Sequence, residues 1–454
     1  MIQTVVSARS FLLIRMFLSL HLHNSKPPAI IVALLALISS PLVAQEAESE
    51  SFQPAELSTL ADYLQRAQDA NPSLLAFADR YEAAKERIPQ ARALPDPTLQ
   101  VTHFVESVQT RTGPQENILM LGQRIPWFGR LEGRGDVASA EAEAIRYAFM
   151  TRQLQLAKEV GLAFYNYAFV AESVTLTNEN LALLRRLVPI VEERTRTGES
   201  LNSLLRLQVE IGKLEDQLQG LRQHRIQGSA RLAALLSLSP NEPIPWPTWA
   251  PPQSGHDDSL DLPSLLIAVD SQNPELAMLE RKRVSASARA ELARLEARPD
   301  FSLGVTYITV SDTGANPTLT DAGQDPWGVS LAVSLPIWAG RNTAARREAD
   351  ASVRAVEKEI EDRQNKLAAD TQVAFSVLRD AKRRIELYED ELLPLARQAL
   401  ENTTAAYESA SVSLLELIDS ERSLLELDLS LWRAHADAAQ QKIVLQTLAN
   451  QPIR

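Results

Sequence analysis

From Gly129 a helical pattern runs to about Thr195, roughly 65 residues, or on the order of 100 Å at 1.5 Å per residue. A helix of that length cannot be wrapped by an ordinary globular core and has to run in a coiled coil or bundle. Val160, Phe164, Tyr167, Ala171, Val174, Leu181 and Val188 form an apolar stripe with a seven-residue period, as such packing requires. Pro189 is expected to kink or break the helix near its end, because it removes a ladder N–H and its ring crowds the preceding turn. Gly198-Glu199-Ser200 reads as a turn, and a return helix follows from about Asn202 to Leu238. Residues 129–238 therefore make one long helical hairpin.

The chain runs this programme twice. Asn273-Pro274-Glu275-Leu276 answers Asn71-Pro72-Ser73-Leu74, and Arg298-Pro299-Asp300 answers Leu94-Pro95-Asp96. A second helix of about 65 residues starts at Arg341, passes Leu378, Ile385 and Leu392 at seven-residue spacing, and carries Pro394 where the first carries Pro189. A turn near Ser409–Ser413 leads to a last helix, Leu414–Ala449. The expected organisation is a first repeat over 45–245 (helices, strand pair 98–126, hairpin 129–238) and a proline-rich connector over 240–263. A second repeat follows over 262–454 (helices, strand pair 301–336, hairpin 341–449). The connector holds seven prolines with Trp246 and Trp249, so it is expected to be extended and packed by its tryptophans.

Ahead of each long helix lie two short strands. In Trp327–Arg341, Val329, Leu331, Val333 and Leu335 alternate with Ser330, Ala332 and Ser334, and Pro336 is expected to end the strand. Phe301–Val310 precedes it across a loop, Ser311–Pro326. In the first repeat, Thr98–Val105 and Asn117–Ile125 flank a polar loop, Glu106–Glu116. Strands of about 8 to 10 residues are long enough to cross a bilayer when tilted. Four of them cannot stand alone in lipid, because each unpaired edge N–H and C=O costs several kcal/mol there. Pooled from two, three or four copies they make about 8, 12 or 16 strands, all within the range of outer-membrane barrels. A soluble sheet with its alternating face on a core uses the same pattern, so alternation alone leaves both arrangements open.

Charge and targeting narrow the choice. The net charge of −12 argues against nucleic acid, whose phosphates need a basic surface. There is no cysteine, which removes thiolate metal sites, cysteine nucleophiles and the lipid-bearing cysteine of a bacterial lipoprotein. Residues 1–44 read as a secretory signal: Lys26, the apolar run Ala29–Ile38, Ser39-Ser40-Pro41, and a small residue at the cut after Ala44. The lead before the run is long, so translation starts at Met1 or at Met16. No later stretch is apolar enough for a membrane helix, so any second meeting with a membrane is made by strands.

Leu392–Leu425 (LLPLARQALENTTAAYESASVSLLELIDSERSLL), Gly198–Gln219 (GESLNSLLRLQVEIGKLEDQLQ), Gln123–Arg130 (QRIPWFGR) and Leu335–Arg341 (LPIWAGR) together resemble the TolC family of outer-membrane efflux proteins. Their order, spacing and repetition carry the likeness, which covers nearly all of the mature chain. Gln123–Gly129 and Arg206–Glu210 resemble the heavy-metal-efflux branch. The resemblance implies a fold that is mainly α with a small β part. Duplicated long α-helical hairpins would form an α-barrel of coiled coils, and four transmembrane β-strands would contribute to an oligomeric β-barrel. It implies a homotrimer in the cell outer membrane with a long periplasmic portion. The partners would be a periplasmic adaptor protein, an inner-membrane transporter and outer-membrane lipid, and the chain would serve as a passive duct that exports small molecules or metal ions. A periplasmic adaptor, the first rival, would have one hairpin and glycine-rich β-domains. A soluble helical scaffold, the second, would need a core the chain does not show.

The resemblance also places candidate residues. Glu416 and Asp419, three apart on one helix face, fall where the family has an acidic ring at the periplasmic entrance; a solvated acidic helix start is the plain alternative. Tyr407 falls where the family has a tyrosine that holds the tip shut, but the basic residue expected just after it is replaced by Ala410-Ser411-Val412. Ser203 stands at the acidic position of the first hairpin, with Arg206 one turn on as a possible partner for Glu416. Trp127 and Trp338 suit a membrane-interface belt or simple junction packing, and Gly129 and Gly340 are expected to turn strand into helix. His103, His224, His256 and His435 lack metal-ligand spacing, and no P-loop, GxSxG or HExxH pattern occurs. No catalytic residue, cofactor or metal site is therefore expected, and no enzyme.

Overall fold

The computed structural model describes residues 57–198, 200–241, 244–251, 261–312, 318 and 320–453. The secretory signal and both alternative start sites lie outside the described residues. Two short helices, α1 (Leu60–Ala70) and α2 (Pro72–Arg92), lead to strands β1 (Thr98–Thr110) and β2 (Gly113–Ile125). The long helix α3 (Arg130–Arg196) and its return α4 (Leu201–Leu236) complete the first set. The second set is α5 (Leu262–Gln272), α6 (Pro274–Glu296), β3 (Phe301–Val310), β4 (Trp327–Val333), α7 (Ala339–Glu386), a π-helical turn (Leu387–Leu392), α8 (Leu393–Glu408) and α9 (Leu414–Leu448).

The Asn-Pro pairs act alike in both sets. The Asn71 side chain accepts from the Ser73 and Leu74 N–H groups, and Asn273 accepts from Glu275, each followed by proline in the first turn. The amide of each asparagine reaches across the fold as well, Asn71 to the Leu235 carbonyl and Asn273 to the Leu448 carbonyl, both at 2.9 Å. Each short helix is thus tied to the far end of its own return helix.

Helix α3 runs 67 residues without a break, straight through Pro189. The expected break does not occur. Leu184 and Val191, on either side of the proline, are both buried in an apolar cluster shared with the return helix and the opposite hairpin, and that packing outweighs one missing ladder bond. Of the apolar stripe, Val160, Phe164, Tyr167 and Leu181 are buried, whereas Ala171, Val174 and Val188 are half-buried. Ser173, Thr177 and Asn180 are buried too, because α3 packs against both α4 and α9.

Pro394 behaves differently from Pro189. It follows a six-residue π turn, so the helix takes in one extra residue before resuming. Up to that turn the buried positions include Ala374, Leu378 and Ala381; beyond it they are Leu393 and Tyr407, with Leu400 half-buried. The seven-residue stripe expected at Leu392 has moved to Leu393, the shift that one inserted residue produces.

The strands form one antiparallel sheet in the order β1-β2-β3-β4, leaving β1 and β4 as open edges. The first hairpin is longer than its alternation implies. The expected polar loop Glu106–Glu116 shrinks to a turn at Arg111-Thr112, and the strands pair up to Thr110↔Gly113 past an irregularity between His103 and Val108. Polar side chains do not stop backbone pairing when the turn closes it. β4 is shorter than expected and stops at Val333, three residues before Pro336, because its partner β3 begins at Phe301, opposite Val333.

The connector packs through its aromatic residues. Trp246 lies 4.8 Å from Tyr167 between ring centres, Trp249 lies 5.1 Å from Tyr165, and the Tyr167 hydroxyl donates to the Ile244 carbonyl at 2.8 Å.

Candidate functional site: sheet faces, junction and helical tip

Register decides what the sheet offers. Leu99 and Val101 of β1 lie opposite Leu121 and Leu119 of β2. These in turn lie opposite Val305 and Tyr307 of β3, which pair with Val329 and Trp327 of β4. Residues paired across antiparallel strands share a face. One face therefore carries an apolar row across all four strands, and it is exposed: Leu99, Val101, Leu121, Val305, Val329 and Leu331 are between 44 and 69% accessible. The other face carries Thr98, Gln100, Gly122, Ser302, Gly304, Ser330 and Ala332 at the junction end, with Met120, Ile118 and Ile308 farther along. Gly304 is required there, since a Cβ would sit 2.7 Å from the Ser330 hydroxyl. A soluble sheet covers its apolar side with a core; here that side is left exposed.

At the end of the sheet Asp300 gathers the strand-to-helix junction. Arg124 donates to its carboxylate at 2.6 Å, the Trp127 N–H donates at 3.1 Å, and Arg130 forms a short ion pair with it. Arg130 also donates to the Leu295 and Arg298 carbonyls at 2.9 Å. Burial raises the Asp300 carboxyl, but the Arg124 hydrogen bond, the Trp127 N–H and the two arginine charges outweigh it and hold it below the usual carboxylate range. Sequence reasoning missed Asp300 as a site, although the paired Pro-Asp motifs had marked the position.

The expected junction residues divide. Gly129 has a left-handed φ of +80° and caps α3. Gly340 does not take that role: α7 already starts at Ala339, and Gly340 has no positive φ. Its junction is one residue longer, so the glycine falls inside the first turn. Trp127 stacks on Phe301 with ring centres 5.8 Å apart, whereas Trp338 is 69% exposed.

At the other end of the long helices the two hairpins meet around a shared apolar cluster that includes Val191, Leu207, Tyr407, Leu414 and Ile418. Ser203, Tyr407 and Glu416 line one groove together with Arg194; Arg206 and Asp419 line a second, together with Arg422. The proposed Arg206–Glu416 pair is not formed within the chain. Glu416 turns back to the Ser413 hydroxyl at 3.1 Å as part of the helix cap, and Asp419 pairs with Arg422 at 3.1 Å. The basic partner of Tyr407, absent from its own hairpin, comes from the other one. The Arg194 guanidinium lies 4.3 Å over the Tyr407 ring and donates to the Tyr407 and Glu408 carbonyls at 2.9 and 3.1 Å. Below the tip, burial pushes the Glu421 carboxyl up, and Asn180 is 3.4 Å away.

Among the described residues no helix is long and apolar enough to cross a membrane. Nor does any group of three or more His, Asp or Glu side chains there stand ready to hold a metal ion. His435 is buried and 3.0 Å from Glu389; burial lowers its pKa, and the carboxylate opposes that.

Known proteins share both sequence and fold with this chain. It is 24% identical over 329 residues to the pyoverdine export outer membrane protein OpmQ of Pseudomonas putida, covering 70% of this chain and 67% of that one. It is 25% identical over 377 residues to the cobalt-zinc-cadmium resistance protein CzcC of Cupriavidus metallidurans, covering 81% and 84%. The structure of the outer-membrane channel OprN superposes with a TM-score of 0.74 at 17% identity, over 87% of this chain and 90% of that one, a likeness of fold. The family described as outer membrane efflux protein matches residues 63–237 and 265–451, one match per repeat. With most of its length matched in two segments, the chain belongs to that family, as an efflux protein of the outer membrane.

Proposed function

We propose that the chain is the passive exit duct of a tripartite efflux system. Three copies would close a 12-stranded barrel through the outer membrane above a tunnel of twelve long helices in the periplasm. The observation that carries this reading is the apolar sheet face, continuous over four strands and open, on a sheet whose two edges are unpaired. In lipid such a face is satisfied, and its edges demand partner strands. A periplasmic adaptor and an inner-membrane transporter would supply cargo and energy. Small molecules or metal ions are the cargo class; the similarity to a cobalt-zinc-cadmium resistance protein favours metal ions. Trp127 and Trp338 would lie near the membrane interface, and Ser203, Arg206, Tyr407, Glu416 and Asp419 at the periplasmic entrance.

Membrane fractionation with a cross-linked mass, then conductance in a planar bilayer, tests the duct. A monomer in the soluble periplasmic fraction would end it. The entrance is tested by block with multivalent cations: Glu416→Gln with Asp419→Asn should weaken it, and an unaltered block removes both from the entrance. Glutamine keeps the capping geometry, so the change reports charge rather than folding.

A further inference from the structure

Among the described residues that pair across the four strands, a single one carries a permanent charge, and it is Arg124. Register sets its side. Arg124 lies opposite Ser302, and Ser302 lies opposite Ala332, so all three share the face of small and polar residues at the junction end. The next row on that face holds Thr98, Gly122, Gly304 and Ser330. None of these side chains is long enough to cover a guanidinium, and that of Arg124 is 63% exposed. It is anchored 2.6 Å from the Asp300 carboxylate, which the buried Arg130 also takes. Two cations on one anion leave one positive charge in excess, and the exposed arginine is the one that presents it. The second repeat supplies no other. Ile125-Pro126 answers Leu335-Pro336, so Ser334 stands where Arg124 stands in the first, and its hydroxyl accepts from the Asp300 N–H at 2.8 Å.

We propose that Arg124 determines ion selectivity at the base of the barrel. With the apolar face in lipid, the opposite face lines the water-filled passage, and each copy adds one positive charge to a ring where the strands meet the helices. A ring of arginines attracts anions and repels bare cations. Cargo that carries carboxylate or phosphate groups is favoured at this level, and a metal ion passes it more readily in an anionic complex than as the bare cation. The glycines and serines around Arg124 leave the passage wide there, so the ring selects by charge rather than by size. This role rests on the duct reading and adds to it a selecting charge, opposite in sign to the carboxylates of the helical tip.

Reversal potentials of the full chain in planar bilayers under a salt gradient test the ring. Arg124→Gln should move the anion-to-cation permeability ratio several-fold toward cations, and Arg124→Lys should keep it near wild type. The shift should be plain at 0.1 M salt, where a charge acts over about 10 Å, and should fade at 1 M, where it acts over about 3 Å. Arg130 still holds Asp300 in these variants, so the amount assembled in outer membranes should stay near wild type. The chain has no cysteine, so in Arg124→Cys the introduced thiol is the only one present. On that assembled channel a membrane-impermeant thiol reagent bearing an ammonium group should restore the wild-type ratio. One bearing a sulfonate should drive the ratio further toward cations. An unchanged ratio in Arg124→Gln, or a thiol that neither reagent reaches, overturns the selectivity role, while a conducting channel keeps the duct. Failure of both Arg124→Gln and Arg124→Cys to assemble, with Arg124→Lys intact, also overturns it and assigns the side chain to the junction. A wild-type chain that forms no channel overturns the role and the duct together.

Discussion

Single residues decide how firmly the two ends of the molecule are held. Arg194 makes two charged hydrogen bonds to the turn of the opposite hairpin and covers the Tyr407 ring. Bonds of this kind contribute about 1.5–3 kcal/mol when half-buried, and the ring contact about 1 more. Arg194→Ala should therefore raise the resting conductance of the channel and its antibiotic leakage, with lysine restoring only part. Closed-state conductance equal to wild type would show that the contact holds no gate. Asp300→Ala leaves Arg130 buried and unpaired, which costs about 3–5 kcal/mol. The pH dependence follows from a carboxyl whose folded pKa is depressed. The clamp contributes fully above the unfolded value of about 3.9 and is lost as pH falls through the lower folded value. Thermal unfolding scans down to pH 3 should show this loss in the wild type and not in Asp300→Asn.

At the scale of elements, close approach sets the helix pairs. A Cβ on Gly228 of α4 would sit 2.8 Å from the Tyr167 ring of α3, and that ring is held by its hydroxyl on the Ile244 carbonyl. Gly228→Ala should cost about 1–3 kcal/mol through overpacking, although alanine is the better helix former. A thermal midpoint at or above wild type would show that the connector yields instead. Helix length, hairpin turns and Asn-Pro starts were legible in the sequence because each depends on neighbours within a few residues. The effect of the two prolines was not. Pro189 passes through an unbroken helix because both sides of it pack, whereas Pro394 follows a π turn that moves the buried stripe by one residue. That choice belongs to the packing around each proline, which local spacing does not contain.

For the whole molecule the exposed apolar face of the sheet is the feature that matters. An arginine on it near mid-membrane costs about 2–4 kcal/mol. Leu331→Arg should therefore lower the amount of assembled protein in outer membranes, while Ser330→Arg on the small, polar face should assemble and shift ion selectivity. Equal assembly of both variants would mean that the faces are not divided between lipid and lumen. Duplication, the long helical hairpins and the alternation of each strand followed from the sequence by itself, since periodicity and turn chemistry are local properties. Tertiary structure decided what those patterns meet. Pairing register joined four separate apolar stripes into one face, and folding brought Arg194 to Tyr407 and Arg130 to Asp300 across about the length of one repeat. Such partners are set by which strand and which helix come to lie side by side, and spacing along a single chain does not encode that.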